Sequence, residues 1–119
     1  MSDAVNGSIG WVDLTVDAAP TLRDFYATVA GWEPEALDMG GYSDFVMKAA
    51  DGTPVAGVCH RRAENADMPP VWMLYIVVPD MNAAADQVEA LGGAVLERRS
   101  QFVVIRDPAG AVCALYQKG

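Results

Sequence analysis

Few side chains in this 119-residue sequence have the chemistry to act on a small molecule. Asp13 lies inside the apolar run "GWVDLTV", where a carboxylate without a partner would be costly, so it is the first candidate for acid–base work. Tyr75 in "WMLYIVV" and Tyr116 in "CALYQ" carry phenol groups that can donate or accept a proton. Cys59 is a thiol directly before His60, the one histidine of the chain. Neighbouring residues of a strand point to opposite faces, so the two do not read as a Cys–His catalytic couple. Cys59 reads as a small buried hydrophobe, and His60, at the start of the polar stretch "HRRAENADMPP", is expected on the surface. Arg98, Arg99 and Arg106 could meet an anionic ligand or form a solvated edge. No GxSxG elbow, CxxC pair, HExxH helix or phosphate-binding glycine loop occurs, and "LGG" at 91–93 is a helix stop.

These residues depend on elements whose signals repeat. A strand over 9–16, β-branched and aromatic in type, is followed by a helix that Asp17 should start and Gly31 should stop. Pro20 lies in its first turn, and Leu22, Phe25, Tyr26 and Val29 recur at helical spacing. Strands over 33–39, 42–49 and 54–60 follow, separated by the turn sequences "MGGY" and "ADGTP". About sixty residues later the same rhythm returns. A strand over 71–78 leads to Asp80 as an N-cap, a helix over 81–91 and a "GG" stop, then to strands over 94–98, 102–106 and 111–117. The fold class is α+β, with two tandem βαβββ modules at about 9–60 and 71–117 and a linker at 61–70, in a single domain over 1–119. One module has a helix on only one face of its sheet, so two modules are expected to curve into a trough with the helices outside.

Composition bounds the partners. The chain is 52% hydrophobic, enough for a sizeable core, and 8 basic against 16 acidic residues leave a net charge of −8. Such acidity argues against nucleic acid and anionic membrane as partners. The start "MSDAVNGSIG" lacks the basic and apolar segments of a signal peptide, and no apolar run reaches membrane-spanning length, so a cytoplasmic location is expected. Two cysteines build no disulfide framework.

Paired βαβββ units with "FY" in the first helix, "LGG" after the second and "DPAG" before the last strand resemble the vicinal oxygen chelate superfamily, the fold of glyoxalases, extradiol dioxygenases and bleomycin-resistance proteins. The resemblance runs from about Ile9 to Gln117. It implies metal-ligand positions on the first and last strands of each module, which here are Trp11, Gly57, Met73 and Ala114. None of these supplies a ligand suited to zinc, nickel, iron or manganese, so no metal or other cofactor is expected. Strand alternation puts Val12, Leu14 and Val16 under the first helix, leaving Trp11, Asp13 and Thr15 on the trough side. It likewise puts Leu74, Ile76 and Val78 under the second helix, with Met73, Tyr75 and Val77 opposite. Val112, Ala114 and Tyr116 share the trough with Gly57 and Cys59. The lining expected is thus Trp11, Asp13, Gly57, Cys59, Met73, Tyr75, Ala114 and Tyr116, aromatic and soft with a few polar tips. Trp11, Met73 and Tyr75 fit as sheet core as well as they fit ligand contacts.

Two functions follow from this expectation. One is metal-independent sequestration of a small hydrophobic or aromatic molecule, as the bleomycin-resistance branch of the superfamily implies. The other is a glyoxalase-like lyase, isomerase or other small-molecule enzyme with Asp13 or a tyrosine as its acid–base group. In either case a homodimer is expected, since members of the superfamily commonly close their open sheet edges with a two-fold partner.

Overall fold

A computed structural model of the chain describes residues 5–62 and 66–118. The chain divides into two compact units, one running from Val12 to Trp72 and the other joining the residues up to Trp11 with those from Met73 onward. The architecture is α+β, and the order strand, helix, three strands occurs twice.

In the unit from Val12, strand β1 (Ile9–Val16) leads to helix α1 (Ala19–Val29), then to β2 (Glu33–Asp38), β3 (Ser43–Lys48) and β4 (Pro54–His60). Its strands lie in the order β2-β3-β4-β1, antiparallel except for the parallel β1–β4 pair. Only the helical connection allows β1 to run parallel to a later strand, because a tight turn would force antiparallel pairing. Leu14, Val16, Ala19, Phe45, Met47, Ala56 and Val58 form the core, with Leu22 and Tyr26 of α1 packed against it. At the far end of the helix, Trp72 donates Nε1–H to the Tyr26 hydroxyl at 3.2 Å, and the rings of Tyr26, Trp32 and Trp72 stand within 6 Å of one another.

The expected start of α1 needs correction. The N-cap is Ala18, which makes no side-chain cap, and its carbonyl accepts from the amides of Thr21 and Leu22. Asp17 is one residue too early to reach those amides. It pairs instead with Arg61 at 3.2 Å. That arginine also donates to the carbonyls of Met68 at 2.9 Å and Thr15 at 3.4 Å, so the expected linker is tied down at its start and buries Met68. Residues 63–65 of it lie outside the described residues.

In the other unit, β5 (Trp72–Val77), α2 (Met81–Ala90), β6 (Ala94–Arg98), β7 (Phe102–Arg106) and β8 (Val112–Tyr116) repeat the plan, in the order β5-β8-β7-β6 with β5 and β8 parallel. Asp80 caps α2 as expected, accepting from the amides of Asn82 and Ala83. The two glycines after it act differently. Gly92 turns the chain at φ +97°, whereas a Cβ on Gly93 would come within 2.7 Å of the Arg106 carbonyl. Ala85, Val103, Ile105 and Leu115 form the core, and Ile76 and Val78 pack on it. Leu74, expected there too, stays 37% exposed near the start of its strand.

Candidate functional site

The sheet face of each unit that turns away from its helix carries the candidate residues. In the first unit the parallel pairing sets Asp13 beside Gly57 and Thr15 beside Cys59, while their neighbours Leu14 and Val58 enter the core on the helical side. The alternation expected from β1 therefore holds from Asp13 to Val16. Asp44 on β3 joins this face, and its carboxylate takes a hydrogen bond from the Cys59 thiol. Cys59 is desolvated first of all, and the carboxylates of Asp13 and Asp44 press in the same direction, so its thiol is pushed up to about 12 from 9.0. Such a thiol stays protonated and is not a nucleophile, which agrees with its reading as a small buried group.

His60 departs from the expected surface position. It is the last residue of β4, its side chain is 19% exposed, and its Nδ1 lies 3.2 Å from Oδ1 of Asp44. The same oxygen accepts the His60 backbone N–H at 2.9 Å. The imidazole stands edge-on to Tyr42, at 5.4 Å between centroids, and tilted to Phe45 at 6.3 Å. Arg62 lies over the other partner of this stack, its guanidinium carbon 3.9 Å from the Tyr42 centroid. Asp44 and Tyr42 were not among the residues singled out from sequence. The signal available was the parity of "YSDFVMK", which puts an acid opposite the Phe45 and Met47 core stripe just as in β1.

In the second unit Tyr75 pairs with Ala114 and Val77 with Tyr116, on the face away from α2. Met73, Tyr75, Val77, Val104 and Ala114 are buried there. Phe102 adds an aromatic ring that sequence reading passed over. It is the strand partner of Tyr116, and its ring meets that of Tyr75 edge-on at 5.4 Å. The predicted residues thus fall into two sets: Asp13, Gly57 and Cys59 in one unit, and Met73, Tyr75, Ala114 and Tyr116 in the other, with Trp11 half-buried on β1.

The positions that the resemblance assigns to a metal do not fit one. Trp11, Gly57 and Ala114 carry no donor, and the Met73 thioether is a soft ligand unsuited to hard or borderline divalent ions. Among the described residues, no three His, Cys, Asp or Glu side chains converge as a metal-binding group. Among them, too, no helix is long and apolar enough to cross a membrane.

Comparison with known proteins accords with this plan. The model of the glyoxalase-like domain matches residues 11–116. A putative glyoxylase of Mycobacterium tuberculosis is 30% identical over 124 residues, covering 98% of this chain and 48% of the relative. An anthracycline biosynthesis protein of Streptomyces peucetius is 27% identical over 131 residues, covering 95% and 48%. The chain spans about half the length of these curated relatives. Among solved structures, methylmalonyl-CoA epimerase of Streptomyces coelicolor in complex with 2-nitronate-propionyl-CoA superposes with a TM-score of 0.56 at 16% identity, over 97% of this chain and 99% of that one. The 2,2',3-trihydroxybiphenyl 1,2-dioxygenase of Sphingomonas wittichii gives 0.57 at 16%, over 97% and 42%. At such identities the likeness is one of fold. With its two βαβββ units and the family's model spanning nearly all of both, the chain belongs to the glyoxalase-like domain family of the vicinal oxygen chelate superfamily.

Proposed function

We propose that this protein binds a small hydrophobic or aromatic molecule without a metal, on the sheet faces that turn away from the helices. One observation carries the reading. At the parallel strand pair of each unit, a residue with little or no side chain faces one with a polar tip: Gly57 beside Asp13, and Ala114 beside Tyr75. The small residue leaves room where metal-dependent relatives would hold a ligand side chain, and the polar tip supplies orientation. Tyr75, Phe102 and Tyr116 add aromatic surface suited to stacking. The names of the relatives, a putative glyoxylase and an anthracycline biosynthesis protein, are in keeping with a small-molecule ligand. The protein acts as a homodimer, a second copy covering strand edges that a single chain leaves open.

Asp13 supports a second reading, a glyoxalase-like lyase or isomerase. Its carboxylate lies close enough to Cys59 to raise the thiol, so it stands within a partly desolvated polar group where a proton carrier would be useful.

The test is a fluorescence titration with 1-naphthol as probe, beside native mass spectrometry and elemental analysis of untagged protein. The expected result is saturable quenching that weakens by about ten- to a hundredfold in Trp11→Ala, as for an aromatic anchor, with no stoichiometric transition metal. About one zinc, nickel, iron or manganese per chain would refute the metal-free reading. Asp13→Asn separates the two functions: a binder changes affinity only, whereas an enzyme using this carboxylate loses turnover while binding survives.

A further inference from the structure

We infer that His60 is a preset hydrogen-bond acceptor for a phenolic or enolic hydroxyl, with Asp44 as its positioning residue. A carboxylate can only accept, so Oδ1 of Asp44, 3.2 Å from Nδ1, fixes the imidazole proton on Nδ1. The lone pair of the neutral ring is then on Nε2. That atom has no partner among the described residues, and it is not closed off from solvent. The orientation is firm because Oδ1 also accepts the His60 backbone N–H at 2.9 Å, and the Asp44 side chain, only 9% exposed, has few other places to go.

The surroundings name the class of ligand. The imidazole is flanked by the rings of Tyr42 and Phe45, and each of those rings carries a guanidinium on its face, Arg62 over Tyr42 and Arg23 over Phe45. Aromatic walls favour a ring-bearing ligand. The Arg62 guanidinium favours negative charge growing on its oxygen as the hydroxyl proton is drawn toward Nε2, whereas Arg23 is already paired with Asp24 at 2.8 Å. The inference goes beyond the reading above, which concerns the face carrying Asp13 and Gly57, and it can stand or fall separately from it.

The single histidine makes the test direct. Long-range proton–nitrogen NMR of uniformly labelled protein, above the imidazole titration followed in the same spectra, reports which ring nitrogen holds the proton. The expected state is Nδ1–H in the wild type. Phenol should then shift the Nε2 resonance, while anisole, which has the ring without the proton, should leave it unmoved. Affinity for phenol read from other resonances near the site should fall about tenfold in His60→Gln, the loss of one hydrogen bond to a polarised partner. An Nε2–H tautomer in the wild type overturns the proposal, and so does an Nε2 response that anisole reproduces or phenol affinity that His60→Gln leaves unchanged. Because the tautomer is read in the unmodified protein, a variant that fails to fold does not block the test. Quenching by 1-naphthol that survives a negative result here would leave the metal-free binding site intact.

Discussion

At the scale of single residues, charge placement on the first unit decides reactivity. Cys59 is held protonated by burial and by Asp13 and Asp44, so it should react with iodoacetamide at least about tenfold more slowly than an exposed thiol. Cys113 is also raised, by burial and then Asp107, but less strongly. Mass spectrometry of partly alkylated protein should therefore find label on Cys113 first. The same shift has a consequence for stability. The unfolded thiol titrates near 9.0 and the folded one near 12, so the folded chain keeps a proton that the unfolded chain has lost. The contribution is whole below about pH 9 and is lost as pH rises toward 12, so stability should decline over that window. In Cys59→Ser, urea denaturation at stepped pH should show a shallower decline, and an unchanged slope would contradict the assignment.

Elements differ in how well their ends are satisfied, and the two helices make a natural comparison. Asp80 accepts two amides at the start of α2, whereas Ala18 accepts none through its side chain at the start of α1. Asp80→Ala should cost about 1 kcal/mol in thermal or urea unfolding, while Ala18→Asp should stabilise by up to a similar amount. An Ala18→Asp variant no more stable than the wild type would mean that the extended turn before α1 cannot adopt cap geometry. After α2 the restriction is steric. A methyl at position 93 would press on the Arg106 carbonyl at 2.7 Å and on Val88 at 2.9 Å, so Gly93→Ala should cost about 1–3 kcal/mol. The reading of "LGG" as a helix stop was right for Gly92, where the backbone is left-handed, but only the packing of β7 explains Gly93.

At the scale of the whole molecule, the proposal of a homodimer is the most exposed to test. Within their units β2 and β6 each pair with one neighbour only, and Leu37 and Leu96 on them are 51% and 44% exposed. Native proteins seldom leave such edges bare. Light scattering at micromolar concentration should give twice the chain mass of 12.7 kDa. A monomer there would remove the partner from the proposed function while leaving the sheet faces as a binding surface.

Sequence alone determined the succession of elements, because period and punctuation are local. The strand parity of "WVDLTV", the helical spacing of Leu22 and Tyr26, Asp80 before an alanine-rich run and the turn glycines each carry their signal within a few residues. It also determined which side of β1 holds Asp13, since alternation follows from the pleat. What it left open depended on partners far along the chain. The acceptor of His60 is Asp44, 16 residues earlier, and the anchor of the polar stretch is Arg61 reaching the Thr15 carbonyl, 46 residues away. A local reading gave His60 to solvent because it heads the polar stretch "HRRAENADMPP", whose composition is that of an exposed linker. Only the antiparallel pairing of β3 with β4 brings one there, and a carboxylate that is mostly buried must find donors where the fold provides them.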